Sequence, residues 1–210
     1  MIFEQFAKIG IIPVVVLDNP KDAAPLAEAL CKNGLPCAEV TFITAASEEA
    51  IRIMTREFPD MLIGAGTVLT KEQVDRACDA GAKFIAGTGL NPKIVQYCLD
   101  ESVPIIPGTQ TPSEMERALE LGLKVVKFFP AELSGGLNMI KAVAAHYTEL
   151  KFMPAGGISK KNVREYLACD KIIACGCSWM VKNDLIAAEK WDKIAALVKD
   201  AANIVKEIRG

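Results

Sequence analysis

The stretch Thr111–Phe128, TPSEMERALELGLKVVKF, contains one complete copy of the unit from which this chain is built. Thr111 is placed to cap a helix over Pro112–Leu121, in which apolar residues recur at three- and four-residue spacing. Gly122 follows as a helix C-cap, and the apolar run Lys124–Phe128 is then predicted to be a strand. A helix that leads directly into an apolar strand is typical of parallel α/β proteins.

The same unit recurs along the whole chain. Short apolar runs, most of them continuous and therefore typical of strands covered on both faces, alternate with segments of helical periodicity. The predicted strands are Ile12–Leu17, Ala38–Phe42, Leu62–Gly64, Lys83–Ala86, Pro104–Ile106, Lys124–Phe128, Lys151–Pro154 and Ile172–Cys175. The other predicted helical segments and caps are Asp22–Lys32, Ser47–Phe58 and Lys71–Ala80, with Gly34 and Gly81 as C-caps and Thr70 and Ser159 as N-caps.

This strict alternation, with no linker to divide it, predicts a single domain over residues 1–210. Eight strand–helix units favour a compact (β/α)8 TIM barrel of the α/β class. An open doubly wound sheet is the alternative fold. It is weakened because no G-x-G-x-x-G motif opens a helix after the first strand.

Composition excludes several classes of protein. The 210 residues are 51% hydrophobic, and 24 basic and 26 acidic side chains give a net charge of −2, which argues against disorder and against a field that gathers nucleic acid. No apolar stretch reaches about 18 residues, and the N-terminus lacks a signal-peptide layout. We therefore expect a cytoplasmic protein that binds neither nucleic acid nor membrane. The odd number of cysteines, 7, predicts reduced thiols rather than a disulfide framework. No metal site is expected, because Cys175 and Cys177 are the one close pair and His146 lies far from them in sequence.

Chemistry in a barrel lies at the carboxyl ends of the strands, so polar residues there are the candidates. In the second strand, a period of two places Glu39 on the opposite face from Val40 and Phe42, which suit the helix-covered outside. Glu39 is thus predicted to point into the barrel, where a carboxylate can act as a general acid and base. A structural, salt-bridged glutamate is the alternative.

Lys127 stands between valines and phenylalanines on the sixth strand, on the same face as Val125 and Phe129. Apolar surroundings disfavour the charged form of an amine, and a neutral amine attacks a ketone to form a Schiff base. The alternative is an ion pair with Glu39, and the two interpretations are compatible.

Two neighbouring strand ends have the glycine content of an anion site. Gly156 and Gly157 follow the seventh strand, and Gly176 and Ser178 end the eighth, before a helix-like Ser178–Met180. Backbone N–H groups freed at such ends often bind a phosphate in barrels. Tight turns without a ligand are the alternative. Thr67, which ends the third strand, adds a hydroxyl.

Several motifs resemble those of the 2-keto-3-deoxy-6-phosphogluconate (KDPG) and 4-hydroxy-2-oxoglutarate (KHG) aldolases, in order along essentially the whole chain. They are Glu39-Val40-Thr41, Gly64-Ala65-Gly66-Thr67-Val68, Pro107-Gly108, Thr111-Pro112-Ser113-Glu114, Lys127-Phe128-Phe129-Pro130-Ala131-Glu132, Gly135-Gly136, Gly156-Gly157-Ile158 and Ser178-Trp179. The Lys127–Glu132 run, KFFPAE, is the most specific of them.

The resemblance implies a class I aldolase, usually a homotrimer, that cleaves a 2-keto-4-hydroxy acid such as KDPG to pyruvate and an aldehyde (glyceraldehyde 3-phosphate for KDPG). It implies no metal or organic cofactor, and a role in Entner–Doudoroff carbohydrate metabolism. By resemblance, Lys127 is the Schiff-base lysine and Glu39 the general acid and base. The substrate-binding positions of the family fall on Thr67, Phe129, Gly156, Gly157 and Ser178.

The chain departs from the family pattern around the pocket. Ile43 occupies a position where an arginine commonly binds the substrate carboxylate, and Thr88, Ala155 and Cys177 also differ from the common residues. Loss of a charge-assisted contact costs about 1.5–3 kcal/mol, so an altered substrate preference is expected. Two alternatives stay open: another phosphate-binding TIM-barrel enzyme, and a non-catalytic or engineered trimeric scaffold.

Overall fold

The computed structural model describes residues 2–210, which form parallel strands surrounded by helices. The strands are β1 (Ile11–Val15), β2 (Cys37–Thr41), β3 (Leu62–Gly66), β4 (Ile85–Ala86), β5 (Ile105–Ile106), β6 (Gly108–Thr109), β7 (Val125–Phe128), β8 (Lys151–Pro154) and β9 (Cys175–Cys177). They make a six-stranded sheet of order β5-β4-β3-β2-β1-β9 and a three-stranded sheet of order β6-β7-β8. All the strand pairs in these sheets are parallel.

Helices follow or precede the strands as the alternation predicts. They are α1 (Ile2–Ile9), α2 (Ala23–Lys32), α3 (Ser47–Glu57), α4 (Lys71–Asp79), α5 (Pro92–Asp100), α6 (Pro112–Glu120), α7 (Gly136–Ala144), α8 (Val163–Leu167), α9 (Asn183–Ala187) and α10 (Trp191–Arg209). Short 3₁₀ turns cover Pro20–Asp22 and Glu132–Ser134. Within residues 2–210, no helix combines the length and the apolar character that crossing a membrane requires.

Most predicted helix ends are confirmed. Thr70 and Thr111 each form a capping box at the start of α4 and α6, in which the hydroxyl and the side chain three residues later satisfy backbone N–H groups. Gly34, Gly81 and Gly122 follow α2, α4 and α6 with φ of +94°, +99° and +78°, a left-handed conformation that suits glycine.

The buried apolar residues form two clusters. The outer cluster lies between the strands and the helices and contains Val40, Val126 and Phe128. The inner cluster contains Phe6 and Phe84, whose rings meet edge to face with centroids 4.9 Å apart. Helix α1, which the sequence reasoning missed, supplies Phe6 to this inner cluster. The two clusters confirm that the strands are covered on both faces.

Pro107 separates two strands where one, Pro104–Ile106, was predicted. Because proline has no backbone N–H, it interrupts the strand between β5, which pairs with β4, and β6, which pairs with β7 in the other sheet. The carbonyl of Pro107 still accepts a hydrogen bond from the N–H of Lys127 at 2.8 Å. At the other edge, isolated parallel bridges join Phe152 to Ile172 and Ala155 to Gly176. The result is a curled, TIM-barrel-like arrangement of two connected parallel sheets.

The predicted boundaries after β8 are wrong in two places. The helix that Ser159 was predicted to cap begins only at Val163, because Ser159 and Asn162 form a turn in which the Asn162 side chain accepts from the Ser159 N–H at 2.7 Å. Ser159 is therefore not the N-cap of this helix.

The predicted strand Ile172–Cys175 is also displaced. The N–H of Ile172 donates to the Cys169 carbonyl in a turn. Pairing with β1 begins at Cys175, whose N–H donates to the Gly10 carbonyl at 2.8 Å. Ser178–Met180, predicted as helix-like, is irregular and includes a turn.

Candidate active site

Lys127 and Glu39 meet inside the molecule. The Lys127 ammonium on β7 donates a hydrogen bond to Glu39 Oε1 on β2 at 2.6 Å, and the two side chains are only 5% and 2% exposed. The alternation explains this placement, since Val126 and Phe128 point to the outer cluster while Val125 joins the inner one. The sequence thus predicted that both side chains point inward. They form the ion pair that was the alternative interpretation of Lys127.

The carboxylate of Glu39 occupies space that a glycine leaves open. A Cβ atom at Gly66 on β3 would overlap Glu39 Oε1 and approach its Cγ to 2.8 Å. The open side of Gly66 is therefore filled by the Glu39 carboxylate. The second oxygen, Oε2, is buried and has no hydrogen-bond partner among residues 2–210. A buried acceptor without a partner marks a position where a donor from a ligand or water can bind.

Thr67 follows Gly66 in a strained conformation. Its φ is +58°, in the left-handed region, which a β-branched residue rarely adopts and which costs on the order of 1–3 kcal/mol. The residue is half-buried at the carboxyl end of β3, the strand next to Glu39 in the sheet. Strain of this kind is concentrated at functional sites, and Thr67 lies at the predicted strand end.

The glycine loop after β8 packs against the chain that leaves β7. Gly156 and Gly157 have φ of +92° and +85°. A Cβ atom at Gly156 would lie 3.2 Å from the half-buried ring of Phe129, so the two predicted substrate-binding positions are in contact. Within residues 2–210, the N–H groups of Gly157 and Ile158 donate to no protein acceptor. These two amides are therefore available to an anion.

Ser178 lies at the end of the neighbouring strand. It is exposed directly after β9, and the bridge between Ala155 and Gly176 brings this strand end beside the glycine loop. Cys177, the residue before it, is buried, and burial raises the pKa of its thiol well above the ordinary value. The structure therefore places Phe129, Gly156, Gly157 and Ser178 at one edge, formed by the ends of β7, β8 and β9.

Sequence reasoning missed one polar pair at this edge. The Tyr166 hydroxyl on α8 donates to Glu132 Oε1, in the turn that follows β7. Glu132 belongs to the KFFPAE run, but no role was assigned to it, and Tyr166 carried no signal because its contact joins distant segments.

The predicted position Ile43 lies at the surface. Ile43 is 61% exposed beyond the end of β2. Among the described residues 2–210, no group of three or more histidine, cysteine or carboxylate side chains is arranged to hold a metal ion. A groove of about 680 Å³ lined by Lys8, Leu35 and Arg209 lies at the opposite end, before the first two strands.

Comparison with known proteins places this chain in a family. The KDPG and KHG aldolase sequence model matches residues 2–197. The 2-dehydro-3-deoxy-phosphogluconate aldolase of Haemophilus influenzae is 50% identical over 205 residues, which are 98% of this chain and 97% of that protein. The enzyme of the same name from Treponema pallidum is 49% identical, over 97% of each chain.

A solved structure is similar throughout. The KDPG aldolase of Legionella pneumophila, crystallised with pyruvate captured at low pH as a covalent carbinolamine intermediate, superposes with a TM-score of 0.90 at 38% identity and covers 93% of this chain and 95% of its own. The similarity extends over nearly the whole of both chains, and the chain belongs to the KDPG and KHG aldolase family.

Proposed function

We propose that this protein is a class I aldolase that cleaves a 2-keto-4-hydroxy acid, such as KDPG, to pyruvate and an aldehyde. The observation that carries this proposal is the buried pair of Lys127 Nζ and Glu39 Oε1 at 2.6 Å. An amine nucleophile and a carboxylate within hydrogen-bond distance are what imine formation requires. The relatives that bear the name KDPG aldolase support the same activity.

Imine formation uses both members of the pair. Lys127 gives a proton to Glu39 along their hydrogen bond, and the neutral amine attacks the C2 carbonyl of the substrate. The resulting carbinolamine loses water, whose departure is assisted by the proton that Glu39 returns. The product of these steps is a protonated imine between Lys127 and C2.

Cleavage then uses the imine as an electron acceptor. Glu39 takes the proton of the C4 hydroxyl, directly or through one water, and the buried Oε2 is available for this hydrogen bond. The C3–C4 bond breaks, its electrons form an enamine, and the aldehyde leaves. Glu39 protonates the enamine at C3, and addition of water to the imine releases pyruvate and restores the amine.

We assign the remaining predicted residues to substrate binding. The N–H groups of Gly157 and Ile158, which donate to no acceptor within residues 2–210, and the Ser178 hydroxyl suit a phosphate at the far end of the substrate. Thr67 offers a hydroxyl to the end near the imine, and the Phe129 ring lies beside the glycine loop. Ile43 offers no charge at the mouth, so we propose a shifted preference toward substrates that do not need a cation there.

For the molecule as a whole, we propose a single domain over residues 1–210 that closes into a (β/α)8 barrel. Support comes from the bridges at one edge of the two sheets and from the continuation of β5 through Pro107 into β6 at the other.

We further propose a homotrimer, in which exposed apolar side chains such as Leu133, 90% exposed, can be buried. The seven free cysteines favour the reducing cytoplasm, and Entner–Doudoroff metabolism is the proposed context.

Steady-state kinetics with KDPG, coupled to detection of pyruvate, test the proposed function. Lys127→Ala should lower kcat by more than about 10⁴-fold, and Glu39→Gln by about 10²–10⁴-fold. Lys124→Ala is the matched control, since that lysine is exposed one residue before the same strand.

Two results would contradict the proposal. Full activity in Lys127→Ala would favour a phosphate-binding barrel enzyme of another kind. A folded wild-type trimer that turns over no 2-keto acid would favour a non-catalytic scaffold.

A further inference from the structure

Tyr166 joins three segments that border the glycine loop. It lies on α8, the helix that follows Gly156 and Gly157, and only 2% of its surface is exposed. Its hydroxyl donates to Glu132 Oε1, in the turn that follows the strand of Lys127. The same phenol faces the backbone N–H of Leu137, in the first turn of α7.

Glu132 in turn fixes the position of the glycine loop. Its backbone N–H donates to the Gly156 carbonyl at 3.1 Å, next to a bond of 2.8 Å from the Ala131 N–H to the Ala155 carbonyl. A Cβ atom at Gly157 would lie 2.6 Å from both Cβ and Cγ of Glu132, so the stem of Glu132 fills the space beside that glycine. The loop therefore packs directly on Glu132.

Gly136 leaves room for the pair. A Cβ atom there would lie 3.0 Å from both Glu132 Oε1 and the Tyr166 hydroxyl oxygen. Burial, followed by the hydrogen bond to Glu132, raises the pKa of Tyr166, so the phenol stays protonated and remains a donor at neutral pH. The Glu132 side chain thus has a permanent partner that holds its direction.

We propose that Tyr166 and Glu132 are positioning residues that hold the N–H groups of the Gly156–Ile158 loop for a phosphate on the substrate. The inference rests on the proposed function. The pair acts on binding of the anionic end, because its contacts reach the loop and, as far as the described residues 2–210 show, none of them involves Lys127 or Glu39. The same hydrogen bond also fixes the Glu132 carboxylate on the Tyr166 hydroxyl.

Kinetics that compare a phosphorylated with an unphosphorylated substrate test this proposal. In Tyr166→Phe, KM for KDPG should rise about five- to tenfold, with kcat within about twofold of wild type. KM for the same 2-keto-4-hydroxy acid without its phosphate should not change. Glu132→Gln, which keeps an acceptor for the phenol, should show a smaller effect. Tyr147→Phe is the control, because its hydroxyl donates to Glu116 at 2.9 Å in an exposed tyrosine–glutamate pair elsewhere.

Calorimetric binding of inorganic phosphate gives a readout that does not depend on turnover. Tyr166→Phe should weaken the affinity about five- to tenfold and Tyr147→Phe should leave it unchanged. Equal rises in KM for both substrates, unchanged phosphate affinity in Tyr166→Phe, or no phosphate binding by the wild type would each overturn the positioning role. Trapping of pyruvate on Lys127 with borohydride separates the two proposals: if it fails while phosphate binding responds as expected, only the proposed aldolase function falls.

Discussion

At the scale of residues, the site depends on how tightly its surroundings fix one carboxylate. One oxygen of Glu39 contacts Lys127, and the other has no hydrogen-bond partner in the part of the chain that the structure describes, residues 2–210. The position of the carboxylate requires the absence of a side chain at Gly66. The carboxylate is therefore held by shape as well as by charge. Displacing it by about 1 Å is enough to cost on the order of 10²-fold in rate.

Gly66→Ala tests this requirement. The added methyl group collides with Glu39, so we expect kcat/KM to fall about 10²-fold while the protein stays folded by circular dichroism. In a Glu39→Asp background the same change should cost less, because the shorter side chain leaves room for the methyl group. Additive losses in the double variant would show that Gly66 and Glu39 act independently, contrary to this account.

At the scale of elements, α4 and α6 each begin with a threonine that pairs with a side chain in the first turn of its helix. Thr70 with Gln73 and Thr111 with Glu114 form the same capping box, but only the second contains a titrating group. Burial by itself raises the pKa of Glu114. Hydrogen bonds from the backbone N–H groups of Gln110 and Thr111 outweigh this effect and lower the pKa. A carboxylate with a lowered pKa in the folded state stabilises the fold above its unfolded pKa of about 4.3.

Glu114→Gln makes this contribution measurable. The free energy of unfolding at pH 7 should fall by about 0.5 kcal/mol, because the amide keeps the cap but loses the charge. The difference should shrink as the pH falls through the folded pKa of Glu114, where the wild-type carboxylate is also neutral. Urea unfolding at pH 7 and at lower pH measures it, with Gln73→Glu as the reciprocal control. A pH-independent difference would contradict the electrostatic origin.

At the scale of the whole molecule, alternation along the chain was enough to predict parallel strands covered by helices and to place Glu39 and Lys127 inside. Local rules succeed there because the strand period of two and the helix caps act over a few residues. They fail where a distant partner decides. The β9 boundary is set by the Gly10 carbonyl, and the Tyr166 contact with Glu132 joins segments far apart in sequence.

The central claim, that Lys127 is the amine that forms the imine, is tested most directly by reduction with borohydride in the presence of pyruvate, followed by peptide mapping. We expect one pyruvate-derived adduct per chain, located on Lys127 and abolished in Lys127→Ala. The adduct should persist in Lys124→Ala, because Lys124 of the wild type is exposed and takes no part in the reaction. An unmodified Lys127 under these conditions, or an adduct on another lysine, would contradict the account.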